Sequence, residues 1–581
     1  MMLEFASRAG YEPGTNLRGE QAQTAWLFLL PRLDLDRALL VGLPALGTVV
    51  ALAGLAGEVV VGCPRRSELQ RAQRVLAGRD LANVRARALE PGGPHWPAAD
   101  LLYVTARELP GLARSARARG ELEARLAAGS AIYLEPAPLG IELIERLGAS
   151  VAVLMDVAGS PERGPRPDGE VAAWLVPADR NGSAARRGQA LRAGTRRAGR
   201  IVTRVTSGRS RRLASAPPGA LGVTRVSGPP LRRLQPPSVS PPGVLARPLT
   251  GAPDRAPEYL LDAAREAGHP LDDRPWWLAA PRGYRSQKVI FLVGDEDVVK
   301  LTQDPCFNAR LDNEFHALRL LQERGLEAAV AAPRALFRAE HARLSIVGET
   351  RLAGGPLRER SSATPDCEQA AAVIAAITAL GTASVRSEPP DGRSPAAPLV
   401  DLLARYVAIY RPGAEQRGML DEAVSALLDA GAELPSVFLH GDPTTLNLLV
   451  DDDGTIGMLD WENAESSGPP LWDLFYFLQA YRGWAAASRG RRQTPAAFGR
   501  ELSDPSAFGG LPARAVESYS RALGLQPTLV GPLFCTCWMY LALRQSRQLA
   551  PRSLGRGLYT GILDGVAARR GARGPRWPWP S

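Results

Sequence analysis

The chain has 581 residues, of which 45% are apolar and 22% charged, so it is long enough for several domains and too apolar to be disordered throughout. Five cysteines without framework spacing exclude a disulfide-rich scaffold and favour a reducing cytoplasm. The net charge of +10 is concentrated in residues 181–250, which contain fourteen arginines and no carboxylate. The positive net charge therefore comes from this one segment, and the rest of the chain carries a small negative net charge.

One segment near the N-terminus, residues 38–62, is apolar and long enough to cross a membrane. However, Pro44, five glycines and Glu58 interrupt it, and a periodic helical pattern follows it. No basic start followed by an apolar run, as in a secretory signal, precedes it. We therefore expect a buried strand–helix–strand unit in a cytoplasmic protein, with no membrane as a partner.

The first third of the chain alternates short apolar runs with helical patterns. The predicted strands are 38–43, 58–63, 84–89, 100–106, 130–136, 151–157 and 171–177, and the predicted helices are 44–56, 67–77, 121–126 and 139–147. This rhythm is typical of a doubly wound, mostly parallel α/β sheet. Residues 1–180 are therefore predicted to form a Rossmann-like domain.

Residues 181–255 are dominated by Arg, Pro, Gly and Ser. A short strand is possible at 201–206, but the prolines of 236–243 do not fit inside a sheet or helix. Arginine-rich segments bind phosphates of nucleic acid or lipid, yet no aromatic residue interleaves these arginines to stack bases. We therefore interpret the segment as a solvated, partly disordered linker, and nucleic acid is not the expected partner.

From residue 256 a small β-rich part precedes a large helical part. Strands are predicted at 288–294, 297–303 and 344–350, with a helix at 308–324. Further helices are predicted at 367–380, 399–411, 418–430, 471–483, 512–523 and 528–547. This order predicts a bilobal α+β domain over residues 256–570.

The strongest chemical pattern lies in residues 437–460, VFLHGDPTTLNLLVDDDGTIGMLD. Asp442 follows an apolar strand, Asn447 comes five residues later, and a hairpin brings Asp460 to the same edge. Phosphoryl transfer from ATP needs a carboxylate facing the acceptor hydroxyl, and oxygen ligands that hold Mg²⁺ against the phosphates. The pattern predicts Asp442 as the base, and Asn447 and Asp460 as metal ligands.

Lysine is rare in this chain and occurs only as Lys288 and Lys300. Lys300 lies in a predicted strand, and Glu314 lies in the helix that follows. A Lys–Glu pair of this kind holds the α- and β-phosphates of ATP in kinases. We therefore predict that Lys300 and Glu314 take part in nucleotide binding.

The phosphate-covering loop is the weakest part of the pattern. Residues 281–291 contain one glycine, Gly283, and lack GxGxxG, although Ser286 and nearby backbone amides are suited to phosphate contacts. An ordinary hairpin explains these residues equally well. Residues 347–350, including Glu349, fall where backbone groups would contact adenine.

With these motifs, residues 256–570 resemble the aminoglycoside phosphotransferase/choline kinase family, which has a protein-kinase-like fold. HGDPTTLN is similar to the family's catalytic loop, and LDWENAESSGPPLWDLFYF to its metal-binding segment. The resemblance implies that Asp473 buttresses the catalytic loop and that His440 shapes it. It also implies ATP and Mg²⁺ as cofactors and a small-molecule hydroxyl, of an aminoglycoside, amino alcohol or sugar, as acceptor.

Residues 30–180 resemble class I S-adenosylmethionine-dependent methyltransferases more faintly. The turn at 41–47 lacks repeated glycines, Pro44 removes a backbone donor, and the second strand ends at Cys63 without a carboxylate for the ribose. We therefore expect a scaffold or recognition module. Two rival functions stay open here, a non-catalytic nucleotide-binding regulator and a bifunctional methyltransferase–kinase.

Overall fold

The computed structural model describes the chain in segments, and all structural statements below concern these. They are 25–77, 81–89, 96–135, 143, 151–155, 173–177, 244–246, 256–271, 274, 276–279, 288–386, 396–490, 495, 507–546, 554 and 557–573. The chain separates into two compact units. The sheet unit takes the described residues within Asn16–Leu311 and Leu336–Glu349, and the helical unit takes those within Asp312–Ala335 and Thr350–Ser581.

An eight-stranded sheet forms the first part of the sheet unit. Its strands are β1 (Leu35–Val41), β2 (Ala56–Cys63), β3 (Val84–Ala88), β4 (Leu101–Val104), β5 (Ala131–Leu134), β6 (Val151–Met155), β7 (Ala173–Pro177) and β8 (Val244–Ala246), in the order β3-β2-β1-β4-β5-β8-β6-β7. The first five strands run parallel. Helices α1 (Leu46–Leu55), α2 (Arg66–Ala77), α3 (Leu109–Arg114) and α4 (Ala116–Ala127) connect them. The predicted alternation of strands and helices is thus confirmed.

Both faces of the sheet are covered, which explains the continuous apolar runs in its strands. In β1, Ala38 and Leu40 belong to one apolar core, whereas Leu39 and Val41 belong to another. Successive side chains of a strand point to opposite faces, so the part of a strand that is buried on both faces is apolar at successive positions. The run at 38–62 is therefore β1, α1 and β2 of this sheet. No described helix is long and apolar enough to cross a membrane.

The predicted linker contributes a strand to this sheet. β8 lies between β5 and β6 and pairs with both of them in the antiparallel direction. The sequence analysis did not predict this strand, because three residues without a distinctive pattern gain backbone partners on both sides. The interpretation of 181–255 as a linker stays a prediction. The other predictions for 181–255, and the predicted helix at 139–147 apart from Leu143, lie outside the described residues.

A second, five-stranded sheet completes the sheet unit. Its strands are β9 (Trp276–Ala279), β10 (Lys288–Val293), β11 (Asp297–Thr302), β12 (Ala335–His341) and β13 (Leu344–Thr350), in the order β12-β13-β11-β10-β9. Helix α5 (Glu258–Glu266) precedes it, and the Tyr259 hydroxyl donates a 2.8 Å hydrogen bond to the Phe28 carbonyl.

One apolar core joins the two sheets of this unit. It contains Trp26, Leu40 and Tyr133 from the first part together with Phe291 and Ile346 from the second. The boundary between the two units differs from the predicted boundary near residue 255, and the predicted domains 1–180 and 256–570 stay predictions.

The helical unit contains most of the remaining elements. Helix α6 (Asn308–Glu323) leads into it, and it then comprises α7 (Leu357–Arg360), α8 (Glu368–Ser384), α9 (Ala397–Tyr410), α10 (Ala414–Asp429), α11 (Trp472–Ser488), α12 (Leu511–Leu523), α13 (Pro527–Ser546) and α14 (Leu558–Arg573). Two short sheets carry the catalytic-loop pattern: β14 (Gly355–Pro356) with β16 (Leu448–Val450) and β17 (Ile456–Met458), and β15 (Val437–Leu439) with β18 (Glu465–Gly468). The predicted order, a small sheet followed by helices, is confirmed.

Candidate active site

The predicted catalytic loop begins where β15 ends, and a buried carboxylate holds its first turn. Asp473, in the first turn of α11, accepts hydrogen bonds from the backbone amides of His440 at 2.6 Å and Gly441 at 2.9 Å. Burial raises the pKa of Asp473 to about 7, although these two hydrogen bonds oppose the shift. The structure thus gives Asp473 the buttressing position that the family resemblance implied.

His440 connects the loop to the strand that carries Asp460. Its side chain is fully buried, its Nδ1 accepts from the Asp442 amide at 3.1 Å, and its Nε2 lies 2.9 Å from the Leu459 carbonyl. Nε2 must therefore carry the proton, which makes the ring neutral. Burial lowers the pKa of His440 to about 4. These contacts fix Asp442 and Leu459 against His440, which agrees with the loop-shaping role that the resemblance implied, and the prediction of His440 among the catalytic residues stays a prediction.

Asp442 presents a partly desolvated carboxylate. Its Oδ1 has no hydrogen-bond partner among the described residues, and its Oδ2 lies 3.9 Å from Nη2 of Arg544. Burial raises the pKa of Asp442 to about 6, with Asp460 and Glu462 acting in the same direction. Arg544 and the Tyr476 hydroxyl oppose the shift. A carboxylate with an unused buried oxygen is suited to accept a proton from a bound hydroxyl.

Asn447 and Asp460 are brought together through the backbone. The Asn447 side-chain amide donates to the Asp442 carbonyl at 2.9 Å, and the Asn447 carbonyl accepts from the Leu459 amide at 2.8 Å. Asp460 follows at once and adopts the left-handed conformation, with φ of 67°. Because Asn447 uses its N–H on the loop, its amide oxygen is left as the atom for a ligand.

Asn447 and Asp460 are better suited to a magnesium ion that is shared with a nucleotide than to a metal ion bound by protein side chains alone. Among the described residues, no group of three or more His, Cys, Asp or Glu side chains is arranged to hold a metal. Mg²⁺ that accompanies a nucleotide takes one or two protein oxygens and completes its shell with phosphates and water. An amide oxygen and one carboxylate on adjacent strands meet that need.

Glu314 lies beside the same segment. It is fully buried in α6, and its Oε1 accepts a 3.2 Å hydrogen bond from the Trp461 amide, one residue after Asp460. The neighbouring Asn313 donates to the carbonyls of Glu462 at 3.1 Å and Ala464 at 3.0 Å. Helix α6 therefore fixes the backbone that follows Asp460.

In the sheet unit, Lys300 and Glu349 meet on adjacent strands. Lys300 Nζ on β11 lies 2.7 Å from Glu349 Oε1 on β13, and both residues are almost fully buried. The sequence reasoning had assigned Glu349 only by its position near the hinge, and had paired Lys300 with Glu314. The side-chain pair with Glu349 was missed because it depends on which strands are neighbours. The pairing of Lys300 with Glu314 stays a prediction, and Gly283 and Ser286 lie outside the described residues.

Arg544 is the main residue near Asp442 that the sequence reasoning missed. It lies near the end of α13, and its Nη1 donates a hydrogen bond to the Gly441 carbonyl. A basic residue in the last turn of an apolar helix is common, since it is favoured by the helix dipole, so the sequence carried no distinctive signal.

At the carboxyl edge of the parallel sheet, where the methyltransferase resemblance would place a cofactor, side chains from several strand ends contact one another. A Cβ at Gly42, which has φ of 88°, would lie 2.3 Å from the Thr105 hydroxyl. Arg65, two residues after Cys63, pairs with Glu68 at 2.6 Å and Glu108 at 3.0 Å. The proposal that this part is a scaffold stays a prediction that agrees with such packing.

Comparison with known proteins identifies the C-terminal region. Residues 276–506, less than half of the chain, match the model of the phosphotransferase enzyme family. The search of curated proteins found no match.

Solved structures similar to this chain include three aminoglycoside phosphotransferases. A thermostable APH(4)-Ia with ADP and hygromycin B is 18% identical, with 53% of this chain and 97% of that chain covered and a TM-score of 0.33. APH(2")-IIIa with GDP and kanamycin is 14% identical, with coverages of 50% and 92% and a TM-score of 0.30. APH(3'')-Id from Streptomyces rimosus with ADP and streptomycin is 17% identical, with coverages of 48% and 90% and a TM-score of 0.28. The family match confirms for residues 276–506 the resemblance to phosphotransferases that the motifs predicted.

Proposed function

We propose that this protein is an ATP- and Mg²⁺-dependent phosphotransferase that phosphorylates a hydroxyl of a small molecule. The observation that carries the proposal is the geometry of the catalytic loop. A partly buried carboxylate, Asp442, lies on a turn that Asp473 and His440 fix, and hydrogen bonds to backbone groups connect Asn447 and the strand before Asp460 to it. The match of residues 276–506 to the phosphotransferase family supports the same chemistry.

The chain's residues divide the reaction between them. Asp442 orients the acceptor hydroxyl and takes its proton as the hydroxyl oxygen forms a bond to the γ-phosphorus. The bond from that phosphorus to the β–γ bridging oxygen breaks, and ADP leaves with the electron pair. Asn447 and Asp460 would hold Mg²⁺, which when bound neutralises phosphate charge.

Lys300 has the proposed role of binding the nucleotide phosphates. Its buried ammonium is held by Glu349, which fixes its direction before a nucleotide arrives. A compact ammonium suits a phosphate contact in a tight site, where a planar guanidinium does not fit. The ion pair thus supports a preorganised cation in this part of the chain.

The direct test follows the transferred phosphate. The full chain is incubated with a small-molecule extract, Mg²⁺ and ATP labelled at its γ-phosphate with ¹⁸O, and labelled products are identified by mass spectrometry. We expect one labelled phosphate ester with wild type, and a rate at least about a hundredfold lower with Asp442→Asn, because removal of a general base has effects of that order.

The control is Asp452→Asn, at an exposed hairpin carboxylate outside the loop. It should keep the wild-type rate. Nucleotide binding without any labelled product, in wild type and Asp442→Asn alike, would instead support a non-catalytic nucleotide-binding regulator.

A further inference from the structure

The side chains around Asp442 carry information about the acceptor as well as about the base. The hydroxyl to be phosphorylated must come within hydrogen-bonding distance of the Asp442 carboxylate. Any group close to that hydroxyl in the acceptor therefore lies within reach of the side chains next to Asp442. This inference rests on the proposed function, since it takes Asp442 as the base.

Arg544 is the positively charged group at this position. Its Nη2 lies 3.9 Å from Asp442 Oδ2, beyond hydrogen-bonding distance, and its side chain is 26% exposed. A guanidinium has five N–H donors. Among the described residues, the Gly441 carbonyl is the one acceptor of a hydrogen bond from Arg544. The cation is therefore anchored at one end and keeps further donors for a ligand.

Aromatic rings fix the direction of this cation. The Arg544 guanidinium lies 5.8 Å from the centre of the Tyr540 ring, which in turn packs against Trp472 at 4.9 Å between ring centres. The Tyr476 hydroxyl lies beside the Asp442 carboxylate and 3.5 Å from the Tyr559 hydroxyl. A cation held by a backbone contact and a ring loses little freedom when it binds an anion.

The other carboxylates near Asp442 do not offer the acceptor a directed contact of the kind that Arg544 offers. Asp460 and Glu462 follow β17, and Asp460 is the proposed metal ligand. Glu465 is partly buried and is engaged by the Tyr540 hydroxyl. Among the described residues, Arg544 is the basic side chain within 4.0 Å of the Asp442 carboxylate.

We propose that Arg544 binds the acceptor, and that the acceptor is a small alcohol with an anionic group, a carboxylate or a phosphate ester, near its hydroxyl. A guanidinium binds either anion through paired hydrogen bonds. The same charge repels an acceptor with an ammonium group next to the reacting hydroxyl. The chemistry of the pocket thus favours hydroxy acids or sugar-phosphate-like alcohols over polycationic acceptors.

The test uses the full chain and the acceptor found by γ-phosphate labelling. Its KM and kcat are measured with wild type, Arg544→Gln and Arg544→Lys, and repeated with a neutral analogue, the carboxamide or the dephosphorylated parent alcohol. The identity of the labelled product separates a carboxylate from a phosphate ester. Arg521→Gln, at an exposed arginine paired with Glu517 within α12, is the matched control.

We expect an anionic acceptor whose KM rises at least roughly tenfold in Arg544→Gln, the size of one lost charge-assisted hydrogen bond. The KM for ATP and the KM for the neutral analogue should stay the same in Arg544→Gln as in wild type. Arg544→Lys keeps the charge and should show a smaller rise. The Arg544→Lys variant also provides the test if Arg544→Gln does not fold.

Two results would overturn the inference while leaving the proposed function intact. One is a labelled acceptor that is neutral or cationic. The other is an Arg544→Gln variant in which kcat falls equally for all acceptors with KM unchanged, because this pattern belongs to a residue that only supports the loop. Absence of any labelled product contradicts the proposed function itself, and the inference falls with it.

Discussion

Gly441 provides a sharp test of how the catalytic loop is packed. It lies between His440 and Asp442 and has φ of 78°, a conformation that costs other residues roughly 1–2 kcal/mol. A Cβ added there would lie 2.0 Å from the Asn463 carbonyl oxygen and 2.7 Å from its carbon. Carbon atoms in contact are normally about 3.5–4.0 Å apart, so the backbone at Asn463 would have to move by more than about 1 Å.

That movement is opposed by α6. Asn313 holds the carbonyls of Glu462 and Ala464, the residues on both sides of Asn463. Overpacking against a fixed group costs typically about 1–3 kcal/mol in addition to the backbone strain. We therefore expect Gly441→Ala to lower the free energy of unfolding by about 2–5 kcal/mol.

Gly454 offers a matched control, because it has nearly the same conformation without the contact. Its φ is 84°, and a Cβ there would have no neighbour within 4 Å. Gly454→Ala should therefore lose about 1–2 kcal/mol, from backbone strain alone. Urea unfolding followed by tryptophan fluorescence measures both variants, and the γ-phosphate assay should show the larger rate loss for Gly441→Ala. Equal losses in stability would refute the packing that the structure assigns to Gly441.

Three further predictions concern other parts of the molecule. Since the pKa of His440 is lowered to about 4, the folded state resists its protonation, so the contribution of His440 to stability is complete above about pH 6.5 and is lost as the pH falls towards 4, by about 3 kcal/mol in total. The raised pKa values of Asp473 and Asp442 act in the opposite direction over this range, so the contribution of His440 is measured as the difference between wild type and His440→Gln. Urea midpoints of His440→Gln should lack most of this pH dependence, and an unchanged slope would contradict the buried neutral ring. Lys300→Arg should raise the KM for ATP at least about tenfold despite keeping the charge, because a guanidinium does not fit the buried pair with Glu349; a wild-type KM would remove Lys300 from the nucleotide site. A fragment of residues 256–570 should aggregate or unfold at lower urea than the full chain, because it exposes the core that its sheet shares with residues 26–133; equal midpoints would show that this core contributes nothing to stability.

The secondary structure was predictable wherever burial requires apolar residues at the regular spacing of a strand or a helix. The strands of the parallel sheet and the helices α8 to α13 were found within a few residues of their observed ends. β8 was missed because three residues between prolines show no period, and they become a strand only by pairing with β5 and β6. Helix α14 was also missed, since its glycines lower the helix propensity and its arginines interrupt the apolar pattern.

The same distinction explains which parts of the site were predictable. Asp442, Asn447 and Asp460 belong to one continuous stretch. Within it, the Asp442 amide donates to His440 and the Asn447 side chain donates to the Asp442 carbonyl, and these hydrogen bonds position the loop. A local motif is therefore enough to predict the proposed base and the proposed metal ligands. The Lys300–Glu349 pair depends on strand order, and a linear sequence does not show strand order.

Arg544 lies 102 positions after Asp442 and reaches the loop only because α13 packs in the helical unit. In the function proposed above, the reaction and the acceptor consequently depend on different ranges of the chain: proton acceptance on a short loop, and acceptor recognition on a distant helix. Substitutions in α13 can therefore change the acceptor while the loop geometry that performs phosphoryl transfer is kept. The HGDPTTLN loop can therefore be found in the sequence and used to propose a reaction type, whereas the residue near Asp442 that comes from α13 is seen only in the fold.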